Sequence, residues 1–419
     1  VFNITTVAFS DSRGGAAIAA LQQVCAMRAE RDISVSFVVA EKKIEGSVSF
    51  GPNKIQKLLH FILRVISHLL TRLQFTSNTS KHSLNLFSSQ HVLNYCNKDK
   101  DCLHIHWFNN DTLSIKELGL LLKNTSCLVV ITLHDEWFFS GSEHCAEIES
   151  KRYLTGYRYK NSNVKGFDLN LWTFKRKLRL CQFFEQKNVI FTTPSSYLTE
   201  KAKSSFLLKN ANVIKIPNII DCLTFYVKNK RVCRRILELP QEKLIILFGA
   251  IGGASHLKGS DLLLSALERM KLFAPELTIT LLTFGGSTVN KVAISGYETI
   301  NLGHISSKDT LTNIYASADV TIVPSRLEAF GQVAAESLAC ATPVIAFNNS
   351  GLTDIIQHER SGLLVESFEV EALATAIVRI LSMPISERRK MGEAGREFVQ
   401  EKFSQDTVVK EWKKIYKVD

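Results

Sequence analysis

Short apolar runs rich in β-branched residues recur along the chain, each followed by a turn and a stretch of helical periodicity. In the first half, Asn3–Phe9, Ser34–Ala40, Cys102–Phe108, Cys127–Leu133, Val189–Thr193 and Val213–Ile216 read as strands. In the second half the same pattern marks Leu244–Phe248, Leu277–Thr283, Val320–Val323, Pro343–Phe347 and Ser361–Val365, with a further strand end at Ile300–Ile305. Runs that stay apolar instead of alternating indicate strands covered on both faces, as in parallel sheets. Helices are expected from Ala16 to about Arg31, over the Ala-rich, Gly- and Pro-free stretch Gln332–Cys340, at Ser350–Ile356, and along the charged tail Ser386–Val418. With 419 residues, the chain is expected to form two α/β domains.

One helical pattern stands apart. Between Asn53 and Phe75, Ile55, Leu58, Leu59, Ile62, Val65, Leu69 and Leu73 recur at helical spacing, while Lys54, Lys57, Arg64 and Arg72 supply the charge without one acidic residue. A helix lying on a membrane surface fits this, and so does a helix packed on the sheet with its basic face in water. The Ser/Thr-rich stretch Thr76–Ser83 reads as a loop.

Composition (45% hydrophobic, 22% charged) is that of an ordinary globular protein, and no run of eighteen apolar residues predicts a spanning helix. Val1-Phe2-Asn3 enters a strand without a basic region or cleavage site, so no leader is expected. Nine cysteines without CxxC pairs point to a reducing compartment, and the expectation is a cytoplasmic protein. The net charge of +11 lies wholly in residues 1–218, which hold 28 Lys and Arg against 17 Asp and Glu; residues 219–419 hold 23 of each. Such asymmetry predicts that the first half meets an anionic partner, a membrane surface or a phosphate-bearing acceptor. Nucleic acid is not expected, because no binding motif accompanies the charge. A second basic zone runs from Lys151 and Arg152 through Lys175, Arg176, Lys177 and Arg179.

Candidate chemistry gathers between Pro324 and Phe347. Gly331 precedes the predicted helix, where the chain must turn and a ligand can approach bare backbone. The first amides of that helix lack intrahelical partners and form an anion site. Glu328 stands before the helix and Glu336 within it, one turn on from Gln332; a carboxylate is suited to gripping a vicinal diol. Gly249, Gly252, Gly253 and Gly259 with Lys258 form a second cradle for a pyrophosphate, and Gly14-Gly15 forms a strand-to-helix turn. The absence of GxGxxG argues against a dinucleotide cofactor. His134 falls at a strand's carboxyl end, where ligands collect in open parallel sheets, with Asp135 beside it to set its tautomer. His104 and His106 share a strand face and could chelate a metal, yet no third ligand follows, and buried histidines are the simpler account. Asp99-Lys100-Asp101 precedes its strand instead of following it and reads as a solvated turn.

The order Glu328, seven residues, Glu336 resembles the motif of retaining glycosyltransferases of family 4, which have the GT-B fold. The likeness covers nearly the whole chain and is strongest from Gly249 to Val365. It implies two Rossmann-like domains facing across a cleft, with Pro217–Asp221 as the hinge: residues 1–218 for the acceptor, 219–400 for the nucleotide sugar. It also implies a terminal helix, 401–419, crossing back to the first domain on Trp412, Ile415 and Tyr416. Donor contacts are implied for Gly14, Gly15, Lys258, His304, Ile305, Glu328, Phe330, Gly331, Gln332 and Glu336, with Lys258, Glu328 and His134 at the reacting centre. The run from His106 and Trp107 to Gly141 and His144 is similar to a subgroup in bacterial surface-polysaccharide synthesis, the colanic-acid type. Relatives carry several cysteines after this point; this chain keeps Cys145 alone of such a set, so no zinc is expected. Ala250 stands where most family members have Arg.

The expected function is therefore retaining, metal-independent transfer of a sugar from a UDP- or GDP-linked donor to a saccharide acceptor, lipid-linked, at the inner face of the membrane. A non-catalytic sugar-nucleotide-binding protein and a UDP-sugar 2-epimerase are the alternatives.

Overall fold

The computed structural model describes residues 1–49, 54–147, 149–249, 256–286 and 289–418. The chain divides into two compact units, Val1–Pro217 with Val409–Asp419, and Asn218–Val408.

The first unit is built on seven parallel strands in the order Val48–Ser49, Ile33–Glu41, Phe2–Ser10, Cys102–Ile105, Leu128–Thr132, Val189–Thr193, Val213–Lys215. Ile4, Val7, Ala8 and Phe9 of the first strand in the chain are all buried, so both faces of the sheet are covered. The predicted strands fall where the apolar runs lie, within two or three residues at the ends. The second unit repeats the plan: Val289–Ile294, Tyr297–Leu302, Ile279–Phe284, Leu244–Gly249, Val320–Val323, Val344–Phe347, Gly362–Val365. Here Ile245 and Leu247 enter one apolar cluster and Ile246 the other, one on each side of the sheet. Only Val289–Ile294 is antiparallel, joined to the next strand through Ser295 and Gly296, both at positive φ. That strand is an exposed edge whose apolar run is broken by Asn290 and Lys291, so its pattern does not mark it as a covered strand.

The terminal segment is two helices, Ile385–Phe403 and Gln405–Tyr416, because Ser404 is extended and breaks the predicted single run. The second helix carries the chain into the first unit, and the changeover falls at Val409, not at residue 401. Trp412, Ile415 and Tyr416 are buried there. The Tyr416 hydroxyl lies 2.7 Å from His104 Nδ1 and accepts from Gln23 Nε2 at 2.7 Å.

The basic amphipathic segment is helical from Lys54 to Leu70, then a 3₁₀ turn, Thr71–Leu73, then a short strand, Gln74–Phe75, paired with Lys165–Gly166. Its expected first residue, Asn53, lies outside the described residues. Among the described residues, no helix is long and apolar enough to cross a membrane.

Candidate functional site

In the second unit, two loops are held edge to edge. Gly259 has φ of 66°, and a Cβ there would stand 1.9 Å from the Pro324 carbonyl oxygen, so only glycine allows this approach. Arg326 fastens the seam: its amide donates to Leu257 O at 2.8 Å, and its guanidinium donates to His256 O and, bidentately, to Asp261 at 2.8 and 2.6 Å. The result places Lys258 Nζ 2.6 Å from Glu328 Oε1, with the two side chains 30% and 17% exposed. Ser325 Oγ donates to the same carboxylate oxygen at 2.9 Å. On the far side, Ser350 Oγ accepts from the Glu328 amide, and the Gly351 amide donates to Glu328 O at 2.9 Å. The Glu328 loop is thus clamped between the Lys258 turn and the Ser350-Gly351 turn. The Ala250, Gly252 and Gly253 positions lie outside the described residues.

Gly331, at φ of 113°, starts the helix Gln332–Ala339. The first intrahelical bond runs from Ala335 N to Gly331 O, which leaves the amides of Gln332, Val333 and Ala334 as outward donors. Phe330 is buried and meets Phe403 edge-on at 5.5 Å, so this position contributes backbone, not its ring. Glu336 is buried: Tyr315 donates to Oε2 and Gln332 to Oε1, each at 2.8 Å. Burial pushes its carboxyl above the usual range, against the two hydrogen bonds. Each oxygen keeps lone-pair capacity for one more hydroxyl. His304 is exposed and Ile305 half-buried on the loop after Tyr297–Leu302, whose turn is fixed by the Gly303 amide donating to Asn301 Oδ1.

Gly14, Gly15 and His134 belong to the first unit; the other eight predicted positions belong to the second. Within that second group, Lys258 meets Glu328 and Gln332 meets Glu336, while no hydrogen bond among the described residues ties His304 or Ile305 to them. A Cβ on Gly14 or Gly15 would meet nothing within 4 Å, so the space is open to a ligand. His134 Nε2 lies 3.0 Å from His106 Nδ1. The expected Asp135 partnership with His134 is corrected: Asp135 accepts from Trp107, the Trp137 amide and His144, and so orders the wall behind the imidazole. Burial lowers the His134 pKa to about 4 and that of His104 to about 3, so both are neutral at pH 7. His104 is bonded to Thr132 and Tyr416, and among the described residues no three His, Cys, Asp or Glu are grouped as metal ligands.

Sequence reasoning missed Arg326, Tyr315 and Ser350. Arg326 stands two residues before Glu328, but its partners come from the stretch 256–261; Ser350 lies 22 residues beyond Glu328, and Tyr315 gives no local signal. It also missed a pocket of about 470 Å³ in the first unit, lined among others by Arg13, Arg64, Lys81, Phe9 and Trp107. There Lys81 lies over the Trp107 ring at 4.4 Å and donates to Asn110 at 2.5 Å, and burial brings its pKa down to about 8.

Residues 229–398 match the family described as Glycosyl transferases group 1. A D-inositol 3-phosphate glycosyltransferase of Streptosporangium roseum is 34% identical over 178 residues, 39% of this chain and 40% of that protein. The chain spans about half the length of the curated relatives it matches, between 39% and 59%. Among solved structures, sucrose-phosphate synthase from Thermosynechococcus elongatus is similar with a TM-score of 0.68 at 20% identity, over 100% of this chain and 98% of that one. Anabaena HepE, solved in complex with UDP-glucose, is similar with a TM-score of 0.59 at 14% identity, over 98% of each chain. The chain therefore has the GT-B fold, and its second unit carries the glycosyl transferases group 1 match over residues 229–398.

Proposed function

We propose that this chain is a glycosyltransferase that moves a sugar from a nucleoside-diphosphate donor, UDP- or GDP-linked, to a saccharide acceptor with retention of configuration. The observation that carries the reading is the clamped Lys258–Glu328 pair beside the Gly331 helix start, with Glu336 one turn on from Gln332. Lys258 has three N–H donors and gives one to Glu328, so it can also take a donor phosphate. The helix amides share that anion, and Glu336 grips the ribose. Glu328 and the backbone of Phe330–Gln332 hold the sugar, His304 and Ile305 flank the base, neutral His134 orients a sugar hydroxyl, and the Gly14-Gly15 turn offers bare backbone to the donor phosphates. The acceptor oxygen attacks the anomeric carbon on the face the leaving group departs from. The bond to the diphosphate oxygen breaks, the acceptor proton passes to the departing phosphate, and Lys258 with the amides stabilises the developing charge. This scheme calls for no metal, and EDTA is expected to leave the rate unchanged. The UDP-glucose bound by HepE and the inositol-phosphate specificity named for the Streptosporangium protein support a nucleotide-sugar donor and a polar, phosphate-bearing acceptor. We assign the acceptor to the lipid-linked saccharides of bacterial surface polysaccharide synthesis, in line with the colanic-acid-type resemblance and the cationic first unit.

Donor turnover by Lys258→Ala and Glu336→Ala tests the reading. Each is expected to lose at least a hundredfold while still folding, Glu336→Ala with a lower melting temperature because buried Tyr315 loses its acceptor; full turnover by both would remove its basis. Nucleotide binding without turnover in the wild-type chain would favour a binding protein, and an epimerised UDP-sugar formed without acceptor would favour an epimerase.

A further inference from the structure

The amphipathic helix Lys54–Leu70 is seated the opposite way round from a helix that packs on a sheet. Its buried residues are His60 and Ser67, and Arg64 points inward to bond Glu41 at 3.0 Å. Its apolar face is turned to solvent: eight large apolar side chains, from Ile55 to Leu69, are exposed, Leu58 by 60% and Phe61 by 58%. Continuous apolar patches of this extent mark interaction surfaces in soluble proteins.

The fold extends this face into the second basic zone. Phe75 pairs with Lys165, and the Phe167 amide donates to Leu73 O at 3.2 Å. Leu73, Phe75 and Phe167, each more than half exposed, are therefore carried on or beside one two-stranded antiparallel ladder with the exposed Lys165. Tyr159, 78% exposed, lies under Lys175 Nζ at 4.8 Å. Two stretches ninety residues apart thus form one surface of apolar and aromatic tips among lysines. Lys54 and Lys57 add cations on the helix and Arg72 on the turn that follows it, and no acidic residue lies between Lys54 and Phe75.

We infer that this surface docks on an anionic lipid bilayer. Apolar side chains set among aromatics and cations match the boundary between acyl chains and charged headgroups. The excess charge of +11 in residues 1–218 favours lipid over a second copy of the chain, which would bring like charge to like. The inference supplies the location at which a lipid-linked acceptor is met. It stands apart from the donor site, because vesicle binding needs neither donor nor turnover.

Co-sedimentation of the full chain with vesicles of phosphatidylglycerol and phosphatidylcholine, against phosphatidylcholine alone, tests it. The wild-type chain is expected to pellet with the anionic vesicles and to bind neutral ones at least tenfold less. The double variant Leu58→Glu/Ile62→Glu, both at exposed positions, is expected to lose at least tenfold of the binding with an unchanged melting temperature and unchanged nucleotide affinity. Wild-type chain remaining in the supernatant, or a double variant that pellets like the wild type, would overturn the inference. So would a lipid-free dimer that the same substitutions split, because a second copy would then be the occupant.

Discussion

Lys258 and Glu328 lie 70 positions apart in sequence and 2.6 Å apart in space, and each is legible alone as a charged residue near glycine. What the sequence conceals is that they hold each other. Their pairing depends on Arg326 and on a glycine at residue 259 that no side chain could replace. The same is true of Glu336, whose partner Tyr315 sits in another helix. Titration offers a check at this scale. His134 and His104 are held neutral with pKa values of about 4 and about 3, against about 6.5 when unfolded. Below pH 6.5 the unfolded chain binds protons that the folded chain refuses, so stability falls with pH. Each histidine contributes about 1.4 kcal/mol per pH unit until its folded pKa is reached. Urea midpoints are expected to fall from pH 7 to pH 5; a midpoint that holds or rises would show the imidazoles free to charge.

At the level of elements, most strands were visible because fully covered strands are apolar throughout. The edge strand Val289–Ile294 was not, since Asn290 and Lys291 interrupt its apolar residues where an exposed edge tolerates them. The helix Lys54–Leu70 shows a different gap: periodicity reveals an apolar face but not which way it turns. The structure turns it outward, with His60 buried and Leu58 exposed. The loop seam is an element-scale device, and Gly259→Ala probes it. Positive φ alone costs about 1–3 kcal/mol, and the added Cβ must also push the Lys258 turn away from Pro324. Both a lower melting temperature and weaker nucleotide binding are expected. Weaker binding without a stability loss would place the strain elsewhere.

Across the whole molecule, the two-domain plan and the returning last helix were readable through resemblance, and the helix does end in the first unit. Tyr416 closes that return, its hydroxyl serving Gln23 and His104 in a buried site. Tyr416→Phe leaves both without that partner and is expected to cost about 1–3 kcal/mol in chemical denaturation. An unchanged midpoint would mean that the terminal helix contributes little there. How the charge divides between halves was plain from the sequence, but the joining of two basic stretches by one two-stranded ladder was not, because pairing of Phe75 with Lys165 has no local signature.

We propose that the second unit holds a nucleoside diphosphate between Lys258 and the helix that starts at Gly331. Isothermal titration of UDP and GDP into the wild-type chain and into Lys258→Ala tests it most directly. One of the two nucleotides is expected to bind the wild type at a single site and the variant at least tenfold more weakly, in keeping with about 1.5–3 kcal/mol for a lost charge-assisted hydrogen bond. Equal affinity for both proteins, or no binding of either nucleotide to the wild type, would rule out a diphosphate site at Lys258.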